Sequence, residues 1–243
     1  MDSLDDLLSL LSKEKESLEA LYSKGYNPSF LFGNTGTSLK SCEAQALYSL
    51  IKSRGYKRLI EIGTGTGFST LYFSLAISDE GDFLDSLDLS AGASANGRDL
   101  LSRFPVDLNL VNFLVGDSRE LIPALNKEYD FCLIDGSHEY QTSKEDFLNI
   151  YPKIRPGGAI AFHDIQDTIA TTTPNALWKE IQSGSLVDLS EISLVQFDNR
   201  IHELFMYPSD SQEISRLSSK WLTAFWISQD IDPMSMMGIL FKK

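Results

Sequence analysis

Apolar residues recur every three or four positions over 3–24, where Leu4, Leu7, Leu8, Leu11, Leu18, Leu21 and Tyr22 share one face. That spacing predicts an amphipathic helix, and Ser3 followed by Asp6 suits its start. A second helical pattern covers 38–54, with Leu39, Ala46, Leu47, Leu50 and Ile51 on its apolar side and Gly55 just past its last turn. Between them, Asn27-Pro28 and Gly33-Asn34-Thr35-Gly36 mark 25–37 as a loop, which reads equally as a linker or as the border of a substrate site. From 59 onward the period changes. Short apolar runs at 59–62, 83–89, 108–115, 130–134 and 159–162 read as strands, and helical stretches follow at 67–77, 91–104, 119–125, 143–154 and 175–181. Pro156-Gly157-Gly158 reads as the turn into the fifth strand.

This succession predicts an α/β fold: a doubly wound, mostly parallel seven-stranded sheet, helices on both faces, ligands at the C-terminal edge of the strands, and a helical extension in front. The last two strands come from 192–197 and 235–241, while 201–207 suits strand or helix. The stretch 212–229 is amphipathic, with Ile214, Leu217, Trp221, Leu222, Phe225 and Trp226 on one side. Such a stripe is more often core or dimer contact than substrate wall. The 243 residues are read as one domain: helix and loop over 1–37, core over 38–182, and C-terminal strands with a helical insertion over 183–243. The first helix has two candidate partners, the domain itself or a second copy in a homodimer.

Composition narrows the setting. A hydrophobic content of 42% and a charged content of 23% are ordinary for a soluble globular protein. The net charge of −13 argues against nucleic acid or an anionic membrane as partner, since both need basic patches. Cys42 and Cys132 make no disulfide framework, and Cys132 sits in an apolar run as a small hydrophobe. The acidic opening Met1-Asp2-Ser3-Leu4-Asp5-Asp6 is unlike a signal peptide, and no run has the length of a membrane span, so the expected location is the cytoplasm.

The candidate chemistry starts at Arg58-Leu59-Ile60-Glu61-Ile62-Gly63-Thr64-Gly65-Thr66-Gly67-Phe68-Ser69-Thr70. An apolar run ends in an acid, glycines alternate with threonines, and a helix begins. Glycines allow a sharp turn and close approach of a ligand, and a helix N-terminus favours a carboxylate or phosphate. The dinucleotide spacing G-x-G-x-x-G fails in both registers, because Phe68 and Thr70 stand where its last glycine belongs. Asp88 closes the second strand, where an acid accepts from ribose hydroxyls. Gly116-Asp117-Ser118 follows the third, and a helix cap is the alternative reading of its polar pair.

The pattern E-x-G-x-G-x-G resembles motif I of the class I S-adenosylmethionine-dependent methyltransferases. The resemblance implies that Glu61 answers the methionine amine, that Gly63, Thr64, Gly65 and Gly67 form the cofactor loop, and that Ser69 holds the methionine carboxylate. It places Asp88 at the ribose and Gly116, Asp117 and Ser118 at the adenine. Ile134-Asp135-Gly136-Ser137-His138-Glu139-Tyr140, then Pro-Gly-Gly and a strand ending in His163-Asp164, is similar to small-molecule O-methyltransferases of the catechol type and the antibiotic-sugar type. Carried over from the catechol type, Asp135 is a catalytic and cofactor-side position and the first position for a divalent ion, Mg²⁺ or Mn²⁺, with His163 and Asp164 as the following pair. The alternative for Asp135 and Asp164 is hydrogen bonding to neighbouring loops and to the cofactor amine. His138 falls at the general-base position. A histidine there is chemically reasonable, since an imidazole accepts a hydroxyl proton near neutrality. His163 in place of an acid makes the metal shell less suited to Mg²⁺. The implied function is transfer of a methyl group from S-adenosylmethionine to a hydroxyl of a small molecule. A non-catalytic cofactor-binding sensor or scaffold and a nicotinamide dehydrogenase are the alternatives.

Overall fold

The computed structural model describes residues 1, 3–23, 39–165, 174–205 and 237–243. The chain begins with α1 (Leu4–Ser12) and α2 (Lys15–Ser23), followed by α3 (Ser41–Arg54). Ser3 caps α1, its hydroxyl accepting the Asp6 N–H at 3.1 Å. The single helix expected over 3–24 is therefore two. Neither glycine nor proline marks the break at residues 13–14, so the helical period reads straight through it. Leu7 and Leu11 are fully buried, and α1 packs on α3 of its own domain. Each such side chain is worth about 1.5–3 kcal/mol.

Strands and helices then alternate: β1 (Arg58–Ile62), α4 (Phe68–Ala76), β2 (Phe83–Asp88), α5 (Ala91–Leu101), β3 (Val111–Val115), α6 (Ser118–Ala124), β4 (Tyr129–Ile134), α7 (Tyr140–Ile150), β5 (Ile154–Phe162) and α8 (Pro174–Gln182). The chain ends with β6 (Ile192–Gln196), α9 (Asn199–Phe205) and β7 (Gly238–Lys242). Three boundaries differ from the sequence pattern. Residues 108–110 form a 3₁₀ turn, capped by Asp107 accepting the Asn109 N–H, so β3 starts later than expected. The helix expected over 143–154 is α7, shifted towards Tyr140, with a separate 3₁₀ turn over Tyr151–Lys153. Pro156-Gly157-Gly158 is a bulge inside β5 rather than a turn before it: Tyr129 pairs with Ile154, but Phe131 already pairs with Ala159. The ambiguous 201–207 stretch is helical through Phe205. The loop 25–37 and the aromatic stripe 212–229 lie outside the described residues.

The sheet order is β3-β2-β1-β4-β5-β7-β6, with β7 antiparallel to both its neighbours and the rest parallel. A dinucleotide-binding sheet runs 3-2-1-4-5-6 without this inserted hairpin. Alternation along the central strands sends Leu59, Phe131, Leu133 and Ala161 to one face, where they join α1, α3, α4 and α9. Ile60, Cys132, Ile134 and Phe162 go to the other, against α7 and α8. Strands buried on both faces must be apolar throughout, which is why they read as continuous runs. Cys132 is part of that core, where burial pushes its thiol pKa up and removes it from thiolate chemistry. At the N-terminal edge Asp130 accepts from the Lys57 and Arg58 N–H groups at 2.9 and 3.0 Å and pairs with Arg155. That bracket joins β1, β4 and β5 and leaves the opposite edge for ligands. No helix among the described residues is long and apolar enough to cross a membrane.

Candidate active site

Three glycines in the loop after β1 do three different things. Gly63, at φ +103°, lies so close to β4 that a Cβ would stand 2.2 Å from the Asp135 carbonyl oxygen. Gly67 caps α4 at φ +84° and touches α5, where a Cβ would meet the Gly97 Cα at 2.6 Å. Gly65, at φ +54°, faces open space, with nothing within 4 Å of where a Cβ would be. Two of the glycines thus serve backbone packing, and the middle one leaves a cradle. Asp88 holds that cradle in place: one carboxylate oxygen accepts the Gly65 N–H at 2.9 Å and the other the Ser90 N–H at 2.8 Å. A carboxylate has about four lone-pair sites, so Asp88 keeps capacity for ligand hydroxyls.

Glu61 and Ser69 sit deeper than expected. Glu61 is fully buried and accepts from the Ser69 hydroxyl at 2.7 Å, the Ser86 hydroxyl at 2.6 Å and the Thr70 hydroxyl. Thr64 joins the same cluster through Ser86 at 2.6 Å. Burial pushes the Glu61 pKa up to about 7, since three hydroxyls only partly replace water. The Ser69 hydroxyl is thus committed to Glu61, and a methionine carboxylate would meet the backbone at the start of α4 instead. Gly67 offers no side-chain cap there.

After β3, Gly116 turns at φ +152°, and its N–H donates to the Asp88 carbonyl at 3.0 Å. The Asp117 carboxylate accepts the Arg119 N–H at 2.9 Å, so it is the cap of α6, with Ser118 as the first helical residue. The Arg119 guanidinium against it holds the Asp117 pKa down at about 2. Asp117 therefore remains an anion and an acceptor at any physiological pH.

The ends of β4 and β5 bring the remaining groups together. Asp135, Ser137, His138, Asp164 and, from α8, Leu177 line one cleft. His138 is half-exposed, and its Nε2 lies 2.9 Å from Asp164 Oδ2. His163 points away, into the protein. Its Nδ1 faces Asp135 Oδ1 at 3.1 Å and its Nε2 faces Glu43 Oε2 at 3.2 Å. Burial opposes its charge, but the flanking carboxylates prevail and hold its pKa well above the ordinary imidazole value. Burial likewise opposes the Glu43 charge, and the His163 cation prevails, leaving Glu43 below the usual carboxylate range. Glu43, on α3, completes this carboxylate–imidazolium–carboxylate series and is absent from the sequence-based candidates. Its signal was legible: it falls on the apolar side of α3 with Leu39, Ala46, Leu47 and Leu50, where an isolated acid needs a buried partner. Replacing His163 with alanine strands the buried Glu43 carboxylate and unpairs the part-buried Asp135, and unfolding in urea is expected to show a loss of about 3–5 kcal/mol. A loss below about 1 kcal/mol would mean that the pairs are not formed.

Of the expected metal positions, Asp135 and Asp164 converge and His163 does not join them. Of Asp135, His163 and Asp164, the imidazole has both nitrogens turned to carboxylates and no lone pair for an ion. The groups whose donor atoms converge, within 4.8 Å of one another, are Asp135, His138 and Asp164. In that set the imidazole Nε2 and the Asp164 carboxylate already face each other as donor and acceptor. This set does not fit the oxygen-rich shell that Mg²⁺ demands.

Residues 60–165 match a family model described as a methyltransferase domain. That stretch resembles methyltransferase domains and spans less than half of the chain. A caffeoyl-CoA O-methyltransferase of Populus kitakamiensis is 28% identical over 137 residues, covering 53% of this chain and 55% of that protein. One from Stellaria longipes is 27% identical over 201 residues, covering 78% of this chain and 71% of that protein. The first curated relatives are matched over only about half of their length. The methyltransferase fold is shared with the O-methyltransferase TomG from Streptomyces achromogenes, solved in complex with SAM, at a TM-score of 0.62 and 14% identity over 91% of this chain and 88% of that one.

Proposed function

We propose that the chain is an S-adenosylmethionine-dependent O-methyltransferase acting on a hydroxyl of a small molecule. The observation that carries this reading is the placement of the open Gly65 cradle, tied by Asp88, on the same sheet edge as the His138–Asp164 cleft. Gly65 and Asp88 would hold a methyl donor, which would supply an activated methyl group, and His138 would serve the acceptor. The relatives' names and the cofactor in the TomG structure support both donor and reaction class.

The chemistry asked of the protein is modest, because the sulfonium already activates the methyl group. The acceptor oxygen attacks the methyl carbon in line, the carbon–sulfur bond breaks, and S-adenosylhomocysteine leaves as a neutral thioether. His138 takes the hydroxyl proton and passes it to solvent, to which it is half-exposed. Positioning supplies much of the remaining acceleration. Asp135, at the end of β4 and anchored by His163, keeps a negative charge in the cleft, which favours the cationic donor over its neutral product. No step requires a metal ion, and turnover is expected to persist in excess chelator. Loss of turnover in chelator and its return with Mn²⁺ would contradict this.

Titration calorimetry with S-adenosylhomocysteine and with NAD tests the cofactor assignment. Binding of the first and silence from the second is the expected result. Mass spectrometry of products from a panel of hydroxylated compounds, incubated with labelled S-adenosylmethionine, tests the transfer. A gain of one methyl group on oxygen supports it. Cofactor binding without product on any acceptor favours the sensor reading.

A further inference from the structure

Asp164 is the one non-glycine residue with positive φ among the described residues, at φ +56°. An L-residue held there costs about 1–2 kcal/mol and persists only where the surroundings demand it. Here the demand is visible. In that conformation the buried Asp164 carboxylate reaches His138 Nε2 at 2.9 Å and also stands 3.4 Å from His163 Nδ1. Its side chain is 11% exposed while that of His138 is 54% exposed, so the contact runs from the protein interior out to the cleft.

The chemistry of the two groups assigns the protons. An ionised carboxylate only accepts hydrogen bonds, and a neutral imidazole has one donor nitrogen and one acceptor nitrogen. With Nε2 facing Asp164, Nε2 must carry the hydrogen, which leaves the lone pair on Nδ1. We propose that Asp164 is the positioning residue for His138, fixing it as the Nε2–H tautomer so that Nδ1 receives the acceptor's hydroxyl proton. This rests on the reading of His138 as the general base and names the atom that does the work. When the oxygen–methyl bond forms and the carbon–sulfur bond breaks, the hydroxyl proton moves to Nδ1. The resulting imidazolium lies against the Asp164 carboxylate, which stabilises it, and the proton returns to water from the exposed nitrogen. The other charged groups around Asp164 are Asp135, the flanking His163 and, from the start of α3, Lys40. Burial opposes its charge, and the two cations outweigh it and keep the carboxylate in its ionised, accepting form.

Asp164→Asn is the clean test, because asparagine has the same shape and tolerates the left-handed backbone. It removes the charge and can turn an amide N–H towards Nε2, which displaces the hydrogen to Nδ1. The expected result is a fall in kcat of about a hundredfold or more, with KM for the acceptor and affinity for S-adenosylhomocysteine within about threefold of wild type. Nitrogen-15 NMR of the imidazoles, assigned with His138→Gln, gives a second readout. It should place the lone pair on Nδ1 of His138 in the wild type and redistribute it in Asp164→Asn. Turnover of Asp164→Asn within about threefold of wild type would overturn the proposal. So would a wild-type lone pair on Nε2, or loss of turnover in chelator with recovery on Mn²⁺, which would hand Asp135, His138 and Asp164 to an ion. The tautomer measurement needs no acceptor. It judges the pairing even where no methyl transfer is found, so failure of the pairing and failure of the methyltransferase reading are told apart.

Discussion

Gly65→Val is expected to abolish binding of S-adenosylhomocysteine, read by titration calorimetry, while the protein still folds. The two outcomes separate because of where a side chain would go. Position 65 faces open space in the unliganded protein, so a valine meets no neighbouring atom. It fills the volume against which a ligand must lie, and the N–H that Asp88 holds in place is carried by the same residue. The cost to the fold is the backbone conformation at φ +54°, about 1–2 kcal/mol for an L-residue and more for a β-branched one. A domain stable by about 5–15 kcal/mol tolerates that. Gly65→Ala pays less strain and should weaken binding in the same direction. The neighbouring glycines serve as contrasts. Gly63→Ala or Gly67→Ala forces a Cβ into the backbone of β4 or α5 and should lower the melting temperature first. Undiminished affinity in Gly65→Val would remove the loop from the cofactor site.

His138→Ala is expected to cut turnover by about two to four orders of magnitude, the usual worth of a positioned base. Cofactor affinity should hardly change, because the groups assigned to methionine, ribose and adenine lie on the loops after β1, β2 and β3, and Asp135 at the end of β4 stays in place, held by His163. The fold should be indifferent as well, since the side chain is half-exposed and faces Asp164 across the cleft. Steady-state kinetics beside a calorimetric titration checks both halves. Wild-type turnover in the variant would show that the cleft deprotonates its acceptor by other means. Loss of cofactor binding together with activity would make His138 a structural residue.

His163 is missing from the cluster of Asp135, His138 and Asp164 for a reason that linear order does not carry. His163 and Asp164 are adjacent in the chain and were read as a pair, yet the left-handed turn at Asp164 sends their side chains in different directions. One reaches out to His138 in the cleft, and the other reaches back to Glu43 on α3. Glu43 precedes His163 by 120 positions, a separation over which no motif spacing operates. Only packing α3 across the sheet brings an acid from one to an imidazole from the other. Burial then makes the pairing obligatory, because an unpaired charge there costs several kcal/mol. Glu61 and Ser69 are joined by the same force. A buried acid with no cation beside it recruits every nearby hydroxyl, and Ser69, Thr70 and Ser86 come from two different elements.

What the sequence determined by itself is whatever depends on neighbours along the chain. The alternation of apolar runs and helical periods specified the α/β class and nearly every strand, because a strand buried on both faces must be apolar throughout. The glycine spacing argued against a dinucleotide loop, since that spacing is a property of one turn. The tertiary structure decided what depends on approach from elsewhere in the chain. It split helix 3–24, placed the Pro156-Gly157-Gly158 bulge within a strand, and set β7 antiparallel between β5 and β6. It also assigned separate work to three glycines that look alike in the motif. Gly63 and Gly67 are small because β4 and α5 press against them, and Gly65 is small although nothing does. A missing side chain has no local signature of the atom it makes room for, so only the fold could tell packing from an open cradle.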